Sequence, residues 1–129
     1  MKKLKIVLVG GHPKGFDEPF HVKTKSGRIL RKITDSLDFN PIFFDLWKDQ
    51  KEEDSRILKS FTKKKLNYFI KNNYTLIALG RYIEKAIKGN DYPCIYLPHP
   101  ASRDAKYLNI LRDKLLEIVN KNYQYHSSI

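Results

Sequence analysis

The sequence predicts an α/β protein, a three-layer α/β/α sandwich around a four-stranded parallel sheet. Two observations point there. Short apolar, β-branched runs alternate with longer amphipathic stretches four times along the chain, and each run closes on glycine, proline or a polar turn. Parallel neighbours need crossover connections, which strand–helix alternation supplies, with helices covering both faces. At 129 residues, and with no repeat, low-complexity tract or Gly/Ser linker, the chain fits a single domain, 1–129.

The elements follow in order. Leu4–Val9 is a buried strand ended by Gly10-Gly11. A polar stretch with His12-Pro13 and Gly15 leads to Ser26, the expected N-cap of a helix carrying Ile29, Leu30, Ile33 and Leu37 on one face. Pro41 precedes a second strand, Ile42–Trp47. Asp49 with Glu52 three residues on forms a capping box and predicts one helix bearing Ile57, Leu58, Phe61, Leu66, Phe69 and Ile70. Thr75–Leu79 is the third strand, closed by Gly80 and followed by a short helix from Arg81 to Lys88. After a turn at Gly89-Asn90-Asp91, Cys94–Leu97 is the fourth strand. The last helix is expected from Asp104 to Asn120, with Leu108, Leu111, Leu115, Ile118 and Val119 at helical spacing, and 121–129 as a frayed tail.

Composition narrows the function. At 41% hydrophobic and 12% aromatic the chain can build a core, which excludes wholesale disorder. The 30% charged residues and mean hydropathy of −0.54 exclude a membrane-embedded protein. The longest apolar run, Ile6–Val9, is far below the roughly 20 residues of a bilayer span. The basic start, Met1 to Lys5, is followed by too short a run for a signal peptide, so a cytoplasmic protein is expected. The single cysteine, Cys94, excludes an internal disulfide, a four-cysteine zinc site and an iron–sulfur cluster. Neither metal nor organic cofactor is expected.

The formal charge is +11, and residues 1–32 hold nine basic and two acidic side chains, a local +7. Such a field favours an anionic partner: nucleic acid, a nucleotide or an acidic surface. Lys14, Lys23, Lys25, Arg28, Arg31 and Lys32 are candidates for a phosphate path, or equally a solvated face, as Lys63-Lys64-Lys65 is expected to be.

Ligands of doubly wound sheets bind beyond the carboxyl ends of the strands. The residues there are Gly10-Gly11-His12-Pro13, Asp45–Trp47, Gly80-Arg81 and Pro98 to Arg103, so two histidines, an acid and two arginines share one edge. His99, held between Pro98 and Pro100, is suited to donate to an oxygen that gains negative charge. Asp45 either orients water and accepts hydrogen bonds or merely ends its strand. Phe20 and Trp47 either stack on a base or pack their loops onto the core. Gly10-Gly11 lacks the lysine and hydroxyl residue of a phosphate-binding loop, and no metal-ligand spacing links His12, His99 and Asp45.

Three segments resemble the uracil-DNA glycosylase superfamily. Gly10-Gly11-His12-Pro13, then Asp17-Glu18-Pro19-Phe20 and Ser26-Gly27-Arg28-Ile29-Leu30, are similar to its G-x-x-P loop, Pro-Phe pair and Ser-Gly-Arg-x-Leu helix start. Leu79-Gly80-Arg81 follows the third strand, and Leu97-Pro98-His99-Pro100-Ala101-Ser102-Arg103 is similar to its His-Pro-Ser segment. The resemblance implies strand order 2-1-3-4, base flipping, and cleavage of the N-glycosidic bond of a damaged or mismatched base during DNA repair. It implies His99 as the donor to the departing base, Asp45 or Asp17 as the supporting carboxylate, and Gly10, Gly11, His12 and Phe20 around the base. Lys14, Arg28, Ser102 and Arg103 are then the DNA contacts, single- or double-stranded, of a monomeric protein. Active branches carry an acid or amide inside the G-x-x-P loop where this chain has Gly11 and His12. That departure keeps open a catalytically silent relative that binds nucleic acid or a protein partner. A small nucleotide-binding protein sharing only the fold is the third reading.

Overall fold

The computed structural model describes residues 4–127, with side chains described through residue 121. Four strands form one parallel sheet in the order β2-β1-β3-β4: β1 (Ile6–Gly10), β2 (Ile42–Asp45), β3 (Thr75–Leu79) and β4 (Ile95–Leu97). The helices are α1 (Lys25–Ser36), α2 (Gln50–Ser55), α3 (Ser60–Lys71), α4 (Arg81–Gly89) and α5 (Ala105–Ser127). The expected α/β/α sandwich is present, and its strand order is the one that the resemblance implied.

Strand periodicity divides the core into two halves. Ile6 and Leu8 of β1 with Ile77 and Leu79 of β3 face one side, where Leu30 of α1 and Leu111, Leu115 and Val119 of α5 pack on them. Val7, Val9, Leu76 and Ala78 face the other, under Leu66 and Phe69 of α3 and Ile83 and Ile87 of α4. Because β1 and β3 are buried on both faces, they read as unbroken apolar runs. Right-handed crossovers account for the arrangement: leaving β1 toward β2 puts α1 on one face, and returning toward β3 and β4 puts α3 and α4 on the other.

Several boundaries depart from expectation. Thr24, not Ser26, caps α1: its hydroxyl accepts from the Gly27 N–H at 2.9 Å, and Ser26 is buried in the first turn. The second strand stops at Asp45; the Leu46 and Trp47 N–H groups still reach the Gly10 and Gly11 carbonyls at 3.1 and 2.9 Å. The Asp49 cap is present, its side chain accepting from the Glu52 N–H at 2.9 Å. The single long helix behind it is not. Arg56 takes a left-handed conformation (φ 61°) that ends α2, and α3 begins at Ser60. The Trp47 indole N–H donates to the Ile57 carbonyl at 3.0 Å and secures this break. Leu58 is therefore core, whereas Ile57 and Phe61 stand 67% and 71% exposed. The last helix does not stop at Asn120 but runs to Ser127, replacing most of the expected frayed tail. Ser128 and Ile129, like the basic Met1-Lys2-Lys3, lie outside the described residues.

Candidate functional site

The chain leaves β1 toward β2 and β3 toward β4, in opposite directions, so the carboxyl ends of β1 and β3 border the crevice where such sheets bind ligands. A cavity of about 510 Å³ occupies it, within the usual range for ligand sites. Gly11, His12, Lys14, Phe20, Asp45, Gln50, Glu53, Gly80, Arg81, Tyr82 and His99 are among its walls.

Two glycines shape these walls by what they leave out. Gly80 joins β3 to α4 at φ 106°, ψ 154°, which a side-chain-bearing residue rarely adopts. His99 lies directly behind it, its Cβ 3.5 Å from where a Gly80 Cβ would be. Gly27 lets α1 touch the loop from the first strand: a Cβ there would collide with the Phe20 and His21 carbonyl oxygens. Those carbonyls are pinned. Arg31 donates from Nε to the Phe20 oxygen at 2.6 Å and from Nη2 to the Pro19 oxygen at 2.9 Å. The Thr24 hydroxyl and N–H both donate to the His21 oxygen, at 2.7 and 2.9 Å. Phe20, itself at φ 50°, is thereby pressed over Gly10 with only 7% of its surface exposed. Its ring packs the loop down and also walls the cavity.

His99 is fixed in pose and tautomer. The Ala101 N–H donates to its Nδ1 at 3.0 Å, and the Ser102 N–H to its backbone oxygen at 3.1 Å. With Nδ1 occupied as an acceptor, the ring proton of the neutral imidazole sits on Nε2. Burial, helped by the positive charge of Lys14, lowers the His99 pKa below the usual histidine range. A neutral N–H donor in the cavity wall is the result.

His12 is held differently. The Lys14 N–H donates to its Nδ1 at 3.2 Å, and its Nε2 donates to Gln50 Oε1 at 3.0 Å. Gln50 in turn donates to Glu53 Oε2 at 3.3 Å and to Asp54 Oδ1 at 2.8 Å. The Glu53 carboxylate lies where a side chain at Gly11 would have to go. Asp45, paired in register with Gly10, is largely buried. Burial, reinforced by Glu53 and opposed by His12, raises its pKa to about 7. Its Oδ2 is buried without a hydrogen-bond partner.

The cavity thus gathers Gly11, His12, Lys14, Phe20, Asp45 and His99, and Gly10 forms the floor beneath Phe20. Asp17, Arg28, Ser102 and Arg103 do not line it; Asp17, Arg28 and Arg103 are solvent-exposed. Trp47 is core, 2% exposed, and does not line this cavity. Gln50 and Glu53 were missed. The signal was their i, i+3 spacing next to the Asp49 cap, which puts both on one face of the helix start. Among the described residues, no group of three or more His, Cys, Asp or Glu is placed to hold a metal ion.

No family model matches this chain. No solved structure matches it either. Over 85 residues it is 24% identical to the glycine–tRNA ligase beta subunit of Rickettsia africae, a stretch covering 61% of this chain. The match spans only 13% of that subunit's length, which carries no family assignment. No helix among the described residues is long and apolar enough to cross a membrane.

Proposed function

We propose that the protein is a DNA glycosylase of the uracil-DNA glycosylase type, acting on a damaged or mismatched base flipped into the cavity. The reading rests on one observation above the others: His99 stands in the cavity wall with Nδ1 engaged by the Ala101 N–H, which leaves the proton of its neutral ring on Nε2 with no partner among the described residues. Breaking the N-glycosidic bond leaves its electron pair on the base and positive charge on the sugar. A preorganised donor stabilises that developing base anion, where water would have to reorganise. Water then adds to the sugar carbon, giving up a proton, and the departing base regains one.

The carboxylate that faces the sugar and orients the water is Glu53. Asp17 is exposed outside the cavity, and burial raises the pKa of Asp45 to about 7. Glu53 reaches from α2 into the space that Gly11 leaves open, which compensates for the missing acid of the loop. Phe20 supplies the apolar wall for the base, and Lys14 and Arg103 supply charge for phosphates at the mouth.

Oligonucleotides carrying uracil, hypoxanthine, xanthine or mismatched thymine, scored for abasic sites, test the reading. His99→Ala is expected to lower excision about 10²-fold or more, the scale of losing one transition-state donor. Unchanged excision in that variant rejects the assignment. The Gly11-His12 departure favours a second reading, a silent relative, whose signature is salt-sensitive DNA binding without cleavage. Labelled DNA whose mobility does not change even at low salt removes both.

A further inference from the structure

A second cavity, of about 400 Å³, lies beside the first and has no part in the proposed chemistry. Tyr82, Lys85, Ala86 and Asn90 form one wall, and Trp47 and Arg56 the other. It runs along α4 from the mouth of the main cavity, with which it shares Tyr82. Ile83 and Ile87 bury one face of α4, so Tyr82, Lys85, Ala86 and Gly89 fall together on the neighbouring face. The early end of α2 supplies the opposite wall. Arg56, left-handed, turns the chain there, and the Trp47 bond to the Ile57 carbonyl holds the turn. The guanidinium thereby stands 5.9 Å from the centre of the Tyr82 ring. That ring is 43% exposed yet fixed: its hydroxyl donates to the Glu53 backbone oxygen at 3.0 Å, and Trp47 packs against it with 5.7 Å between centroids. Arg56 and Lys85 are exposed, and among the described residues no carboxylate lies within ion-pair distance of either. Nor does any acidic side chain line the cavity; Glu84, next to Lys85, is engaged by Arg81 and Lys88. The carbonyls that end α4 would repel an anion, but Asn90 covers two of them. It donates from Nδ2 to the Ala86 oxygen at 2.8 Å and from its N–H to the Ile87 oxygen at 3.1 Å.

We infer that this cavity is a second nucleotide site, in which a base stacks on Tyr82 while its phosphate meets Arg56 and Lys85. Its occupant is the neighbour, in the same strand, of the nucleotide whose base enters the main cavity. The inference rests on nucleic acid as the partner, as the proposed function has it, but not on excision. A ring already held by its hydroxyl and by Trp47 loses little side-chain freedom when a base stacks on it. Stacking accepts any base, because every base has a π face, and two cations without carboxylate partners are free to neutralise phosphates. Tyr82 belongs to both cavities, which favours a linked neighbour over a free nucleotide: a strand entering the first site delivers its next unit beside that ring. An acidic peptide would match the charges but leave the exposed aromatic face unused.

The test follows the fluorescence anisotropy of a labelled single-stranded oligothymidylate bound to the full chain across a salt series. Tyr82→Ala is expected to weaken binding about tenfold, the scale of one lost base–aromatic stack, and Tyr82→Phe, which keeps the ring, to stay within about twofold of wild type. Arg56→Gln and Lys85→Gln, both at exposed positions, are each expected to reduce the slope of log affinity against log salt by about 0.7, one single-strand phosphate contact apiece. Thymidine monophosphate is expected to compete at least about tenfold more weakly than the strand, because tethering through the main cavity raises the local concentration of the second unit. If circular dichroism shows Tyr82→Ala melting early, the two charge variants decide. Unchanged slopes in both charge variants, a folded Tyr82→Ala that binds like wild type, a monophosphate that competes as well as the strand, or no strand binding even at low salt overturns the inference. Excision assays on the same preparations separate the two ideas. Binding that depends on Tyr82, Arg56 and Lys85 without excision discards the glycosylase reading alone, and excision with binding indifferent to all three discards the second site alone.

Discussion

Gly27→Ala probes how the cavity is built. The added methyl would collide with the backbone oxygens of Phe20 and His21, and neither carbonyl is free to retreat. Moving the first breaks the 2.6 Å bond from Arg31 Nε, and moving the second breaks the two bonds from Thr24. Overpacking a tight contact costs about 1–3 kcal/mol, and a charge-assisted hydrogen bond about 1.5–3 kcal/mol. Partial relaxation shares the strain between these, giving an expected loss of about 3 kcal/mol. At about 2.1 cal/mol/K per residue, the unfolding entropy of 129 residues converts this into a fall in Tm of about 11 °C. Thermal unfolding followed by circular dichroism measures it. Gly89→Ala is the control: it lies at the end of α4 with nothing within 4 Å of the added methyl, so Tm should hold or rise slightly. A Gly27→Ala variant melting within 2 °C or so of wild type would refute the claim that this contact fixes the Phe20 loop.

Other outcomes follow from the same geometry. Arg31→Lys should fail to restore the loss caused by Arg31→Ala, because one ammonium cannot reproduce the fork on the Pro19 and Phe20 carbonyls; denaturant midpoints compare the two. Glu18→Gln should change stability by less than about 0.5 kcal/mol in the same assay, since its pair with Arg31 is long, at 3.8 Å, and the Glu18 side chain is exposed. The Asp45 carboxyl binds its proton more tightly folded than unfolded, so its contribution to stability declines as pH rises from 3.8 to about 7. That contribution is at most on the order of 4 kcal/mol, and Asp45→Asn should remove the decline, read by urea unfolding at pH 4.5 and 8. His99 has the opposite sign: with its folded pKa lowered, it destabilises the fold as pH drops through the ordinary histidine range, and His99→Gln should remove that acid-side loss. If DNA is the partner, Lys14→Ala and Arg103→Ala should each reduce the slope of log affinity against log salt by about one.

Much of the site was legible because residues just past strand ends are forced together once a sheet is parallel. His12, Asp45, Gly80 and His99 needed only that rule. Glu53 was only half legible: its i, i+3 spacing with Gln50 beside the Asp49 cap is in the sequence, but its contact with Gly11 across the sheet edge is set by packing. Read as part of one long helix, Glu53 looks like surface charge. Asp17 misled for the converse reason: it is near the G-x-x-P loop in sequence, but the chain carries it outward before Phe20 turns back in.

Local pattern in the sequence determined the strands, most of the helices, the parallel sheet and the edge at which function gathers, because periodicity and turn residues act within a few positions of themselves. Tertiary structure alone decided the rest: which His99 nitrogen holds the proton, that the Asp45 carboxyl is stranded, and that Glu53 fills the gap beside Gly11. Protonation and hydrogen-bond partnership depend on burial and on neighbours far apart along the chain, and those exist only once the layers have closed.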